Sequence, residues 1–201
     1  MTASAQLVEL HTSDIARYHK ATLEHQKDSA AALVPPDTPL WQAITDNHHH
    51  NMALWDEEDQ ARRRDVPDSA IARSKRLIDS HNQRRNDAIE RIDELILASL
   101  PRKPPNTARL HSETAGGVID RLSILSLKIY HMAWQTRRSD VDASHIETSR
   151  ARLGRLQEQR DDLVGCLDSL LRGCHDGSLY FKVYRQFKMY NDPKFNPWLK
   201  S

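Results

Sequence analysis

Imidazole, amide, indole and carboxylate side chains recur at helical spacing along one stretch of this chain. Ile44, His48, Asn51, Trp55, Glu58 and Arg62 follow one another at steps of three and four, which puts them on one helix face. A second stretch repeats the pattern: Ile71, Lys75, Ile78, Asn82, Arg85, Ile89, Ile92 and Ile96 form a stripe with apolar ends and a polar middle. A third, residues 118–134, is apolar on nearly every face yet carries Asp120, Arg121, Lys128 and His131. Such groups can hydrogen-bond hydroxyls or transfer protons, and guanidinium groups facing a cavity suit phosphate or carboxylate by bidentate geometry. A phosphorylated sugar or a nucleotide would fit them. The candidate ligand-binding set is His48, Asn51, Trp55, Asn82, Arg85, Asn86, Asp120, Arg121 and Lys128, with His48, Glu58 and Asp120 as candidate catalytic groups. An isolated buried charge costs several kcal/mol, so polar residues repeated at inward positions must pair with one another or with something bound. The first outcome is a closed network that fixes helix register. The second is a pocket between helices, where bundles place their ligands.

Other chemistries find less support. Glu58 and Asp59 on one helix and an ExxD pair, Glu90 and Asp93, on the next could hold Mg²⁺ or Mn²⁺ between facing helices, as in a metal-dependent phosphohydrolase. There is no HExxH and no repeated ExxH, and acids at helical spacing are more often a solvated face, so no resident metal is expected. The run HisHisHis at 48–50 points three ways on a helix and makes no preformed site. Cys166 and Cys174 lack CxxC spacing and read as reduced thiols. No GxSxG is present, and Gly116-Gly117 has no phosphate-loop partner, so it marks a turn or a tight helix start.

The elements that must position these residues are helices. Prolines at 35–39, 67, 101–105, 193 and 197 punctuate the chain, and Thr38 before Pro39 is a capped helix start. Helices are expected over about 11–33, 39–63, 67–99, 115–137, 142–172 and 178–190. The longest has a seam of Ile146, Ser149, Leu153, Leu156, Arg160, Leu163, Leu167 and Leu170. The expected fold is all-α: an antiparallel bundle of five to six helices with an extended C-terminal arm. It forms a single domain over 1–201, divided into an N-terminal helix and proline-rich joint (1–37), a core bundle (38–190) and the arm (191–201). Residues 184–197 interleave aromatics and bases, and packing of the arm is the expected reason. A homodimer is plausible from the same physics, because apolar faces such as Leu163 to Leu171 need cover.

Composition bounds the rest. Leu, Ile, Val and Phe make up about a fifth of the 201 residues, while 29 Lys and Arg balance 28 Asp and Glu for a net charge of +1. That balance lacks the basic footprint of a nucleic-acid binder. No signal peptide and no membrane span is legible, so a cytoplasmic protein is expected.

Four separated motifs carry a resemblance. HxxNxxLWxxEDxAR from His48 to Arg62, KRxIDxxNQxRNDxIE from Lys75 to Glu90, IDRLSILxLKI from Ile119 to Ile129, and KMYNDP at 188–193 with Asn196-Pro197 resemble bacterial family 4254 of unknown function. DRLSILxLK is also similar to a stretch of a second uncharacterised family. The resemblance implies a setting beside glycosyltransferase genes in lipopolysaccharide or other surface-glycan loci. Its expected roles are an accessory or sugar-modifying factor, a binder of a sugar phosphate or nucleotide sugar, or a scaffold for a glycosyltransferase partner. In that setting Arg85, Arg121 and Lys128 would hold anionic groups, His48 and Asn51 would orient hydroxyls or transfer protons, and Trp55 would offer a flat face to a sugar ring.

Overall fold

The long helices begin where short polar side chains can satisfy free backbone amides. In the computed structural model, which describes residues 10–25, 35–101, 103–187, 189 and 192–199, Thr38 accepts a hydrogen bond from the Trp41 amide with Pro39 as the first helical residue. Thr114 accepts from the Gly117 amide, and Asp142 from the His145 amide at 2.7 Å. Five α-helices follow among the described residues: α1 (Thr12–His25), α2 (Pro39–Gln60), α3 (Asp68–Ser99), α4 (Ala115–Gln135) and α5 (Ala143–Asp176). The part of the first expected helix at 26–33 lies outside the described residues. Gly177 closes α5 in the left-handed conformation with φ of 84°.

α2 and α3 form a hairpin across residues 61–67, with His50 meeting His81. α4 and α5 form a second, in which Gln135 meets His145. α4 is the central element and packs on all four other helices, as its apolar composition requires. Ile15, Ile44, Ile92, Ile96, Ile119, Leu122, Leu167 and Leu170 are fully enclosed and build the core. The α5 seam is as expected, with Ser149, Leu167 and Leu170 buried and Arg160 half-buried. On α3, however, Lys75 is exposed, and its neighbour Ser74 takes the inward position.

Two further expectations are corrected. The sixth helix, 178–190, does not form. Leu179–Tyr180 is a short strand, β2, paired in parallel with β1 (Arg109–Leu110). Beyond it Phe181 and Val183 turn inward while Lys182 and Tyr184 face out, an alternation of period two rather than 3.6. Of the apolar face at Leu163 to Leu171, Leu167, Leu170 and Leu171 are buried in this chain's own core and Leu163 is partly buried. Among the described residues the aromatics of the C-terminal stretch are not packed: Phe187 is 86% and Trp198 92% exposed.

The α3–α4 crossing is fixed by a glycine. The Gly116 amide donates to Asp93 Oδ1 at 2.6 Å, and a Cβ at Gly116 would stand 2.5 Å from the Ile89 carbonyl oxygen. Close backbone approach is thus why this helix starts on GlyGly.

Candidate functional site

One half of the polar seam is closed. Asn47, His48 and Asn51 on α2 meet Asp120 and Ser123 on α4, all five buried. Both Asn47 and Asn51 donate through Nδ2 to Asp120 Oδ1 at 2.9 Å, and Asn51 also approaches Ser123 Oγ at 3.0 Å. Ser123 Oγ lies 2.8 Å from His48 Nδ1. The His48 ring stacks on His19 of α1, with centroids 4.4 Å apart, and among the described residues neither His19 nitrogen has a hydrogen-bond partner. Burial pushes the His48 imidazole down to about 4 and holds that of His19 well below its ordinary value, so both rings are neutral near pH 7. His48 is therefore a packed, neutral ring and lines none of the clefts described here.

The seam opens toward the C-terminal end of α2. A cleft of about 370 Å³ lies between α2, α3 and α4, lined by Asn51, Trp55, Glu58, Asp59, Arg62, Asn82 and Arg85 over an apolar floor of Leu54, Ile124 and Leu127. Asn51 belongs to both halves, since its amide bonds into the network while its side chain reaches the cleft wall. Arg85 stands 3.9 Å from Asp120 Oδ1, and its buried Nε has no hydrogen bond among the described residues. Glu58 pairs with Arg62 one turn on. One face of Trp55 is covered by His131, stacked at 4.3 Å and nearly parallel. Asn86 is buried on α3 outside this cleft.

A second cleft, of about 460 Å³, adjoins the first across Trp55. Lys128, His131, Met132 and Gln135 line it from α4, and Arg152, Arg155, Leu156 and Gln159 from α5. Lys128 is thus on this side of Trp55, away from Arg85. Arg121 pairs with Glu113 and lines a third groove with Lys128, Gln159, Asp162 and Cys166. The anion-holding trio of Arg85, Arg121 and Lys128 is accordingly spread over three neighbouring clefts. Arg152, Arg155, Gln135 and Gln159 were not singled out in the sequence. Their signal is the stripe Arg152, Arg155, Gln159 at steps of three and four beside the leucine seam.

The carboxylates considered for a metal are not brought together. Asp93 holds the Gly116 amide, and burial raises its carboxyl to about 6. Glu90, with Glu94, binds Arg185 of the arm. Among the described residues there is no group of three or more His, Cys, Asp or Glu side chains that could hold a metal ion. Cys166 and Cys174 are free thiols, the first exposed and the second buried. No helix among the described residues is long and apolar enough to cross a membrane.

Fold and site together define a helical bundle with a polar seam that is closed at one end and open at the other. The chain belongs to the family described as Protein of unknown function (DUF4254), whose model matches residues 41–183 and so covers the two hairpins that carry the seam. No curated protein and no solved structure matches it.

Proposed function

We propose that this protein binds a polar, phosphorylated saccharide in the cleft between α2, α3 and α4. It acts in the cytoplasm as an accessory or sugar-modifying factor of lipopolysaccharide or surface-polysaccharide assembly. The observation that supports the reading is the convergence of Asn51, Glu58, Asp59, Asn82 and Arg85 beside Trp55 in one open cleft. Amides and carboxylates suit vicinal hydroxyls, and the guanidinium of Arg85 in the cleft wall suits an oxygen of the ligand. Glu58, one of the two carboxylates that line the cleft, is the group we assign to exchange a proton with bound ligand. The surface-glycan setting rests on the family resemblance. A metal-dependent phosphohydrolase has less support, because Glu90 and Asp93 are committed to Arg185 and Gly116.

A second reading, a scaffold for a glycosyltransferase partner, is favoured by the exposed Phe187, Phe195 and Trp198 of the arm. Thermal shift with sugar phosphates, nucleotide sugars and divalent metal ions separates the two. A ligand at a hundred times its dissociation constant stabilises the fold by about 2.7 kcal/mol. The expected result is such a shift with a sugar phosphate or nucleotide sugar, lost in Asn82→Ala and Glu58→Gln. If no compound in the panel moves the transition, the ligand reading falls and the scaffold reading takes its place.

A further inference from the structure

Several arginines of this molecule stand against carboxylates, among them Arg62 on Glu58, Arg121 on Glu113, and Arg172 on Asp168 within α5 itself. The second cleft gathers three bases that do not. Lys128 from α4 and Arg152 and Arg155 from α5 converge on it, none of the three makes an ion pair among the described residues, and no carboxylate lines it. Like charges three apart on a helix repel, and Lys128 across the cleft adds to the repulsion, so the arrangement is one that an anion relieves.

The remaining walls narrow the class of anion. Met132, Leu156 and Trp55 give apolar surface for a ring, while Gln135 and Gln159 offer amide donors. Burial keeps His131 on its neutral side, against the pull of Asp59 and Asp56 on α2, so it offers one donor and one acceptor rather than a fourth charge. The acids therefore lie toward α2 and the bases on the α4–α5 face. At about 460 Å³ the cleft has room for more than an inorganic ion.

We infer that the Lys128–Arg152–Arg155 cleft is a phosphate site. It takes the phosphate or diphosphate of an esterified sugar whose glycosyl part passes Trp55 into the polar cleft of α2 and α3. Trp55 lines both clefts, so one ligand can span them. Guanidinium pairs grip phosphate oxygens through two N–H donors each, and Lys128 supplies a point charge opposite. The inference rests on the saccharide reading for the glycosyl half only; the anion half stands on the unpaired bases.

Pyrophosphate is the probe, with binding followed by calorimetry at physiological ionic strength. It should bind the wild-type chain, about tenfold more weakly in Arg155→Gln, and not measurably in the double variant Arg152→Gln/Arg155→Gln. Arg172→Gln, which removes one charge from the same helix outside the cleft, should bind it as the wild type does. Both cleft arginines are exposed, so the variants should keep the helical circular dichroism of the parent. The inference is overturned if wild type binds no pyrophosphate, if the double variant binds undiminished, or if Arg172→Gln loses as much as Arg155→Gln. Sugar binding that survives a failed pyrophosphate titration removes the phosphate site alone. Pyrophosphate binding without any saccharide effect removes the glycosyl half alone.

Discussion

The two ends of the α2 seam carry the same kinds of residue and meet opposite fates. Near its middle, Asn47, His48 and Asn51 face Asp120 and Ser123 and close into a buried hydrogen-bond network. A turn and a half further on, Trp55, Glu58 and Asp59 face Asn82 and Arg85 across an open cleft. The difference follows from side-chain length and from the neighbour. Short amides and hydroxyls on α2 and α4 meet directly at about 2.9 Å, with α1 covering them through His19. Arg85 and Glu58 are long and reach solvent. Indole and imidazole, stacked as Trp55 on His131, occupy the space between the helices and hold open the clefts on either side. Polar residues in a seam therefore have two situations in this molecule: paired with one another where the seam closes, and lining a cleft where it does not.

The largest effect expected is at the hub of the closed end. Asp120→Ala leaves the Asn47 amide without its acceptor, takes one acceptor from Asn51, which keeps Ser123 Oγ, and removes the ion-pair partner of Arg85. One orphaned buried donor and a weakened second destabilise the fold by about 3 kcal/mol in all. Asp120→Asn keeps an acceptor oxygen and should lose about half of that. Urea midpoints of the two variants measure the difference; equal midpoints would show that the network contributes packing alone.

Acid tests the same region next. The His48 imidazole has its ordinary value of 6.5 in the unfolded chain and about 4 in the fold, so the unfolded chain takes up the proton first. Stability from this group is complete above pH 6.5 and is lost as pH falls toward 4, on the order of 3 kcal/mol. His19 acts in the same direction. Asp93 opposes them: its carboxyl, raised from 3.8 to about 6, binds a proton in the fold before it does in the unfolded chain, so acid favours the fold through this group. Asp93→Asn should therefore steepen the loss of stability between pH 6.5 and 4, while His19→Phe, which keeps a ring against His48 and removes two unpartnered nitrogens, should flatten it. Denaturation curves across that range decide it, and an unchanged slope in both variants breaks the assignment.

The fold was largely legible because its signals are local and periodic. Thr38-Pro39, Pro67-Asp68 and the three-four seam of α5 each state a boundary or a face without help from elsewhere. The 178–190 stretch misled because its Leu179, Phe181 and Val183 satisfy an apolar count for either period, and the pairing of β2 with Arg109–Leu110 depends on a partner some 70 residues away. The site was legible in part. His48, Asn51, Arg85 and Asp120 do meet around one seam, yet which of them are sealed is set by His19 and Ser123, whose types carry no chemical warning. Arg152 and Arg155 escaped notice because balanced net charge invites the assumption that each base has its acid.

The smallest effect expected is the one that separates the two regions most cleanly. Asn82 lines the open cleft, is half-buried on α3, and no hydrogen bond of the closed network involves it. Asn82→Ala removes a polar group that lines an open cleft, and at such positions stability stays within about 0.5 kcal/mol of the parent. Replacement by the better helix former even offsets part of that. A loss of several kcal/mol on chemical denaturation would mean that the cleft residues are as structural as Asp120, and that the opening between α2 and α3 is a packing defect rather than a place for a ligand. An unchanged midpoint together with a lost ligand shift would mark a surface that the bundle keeps polar for something other than its own stability.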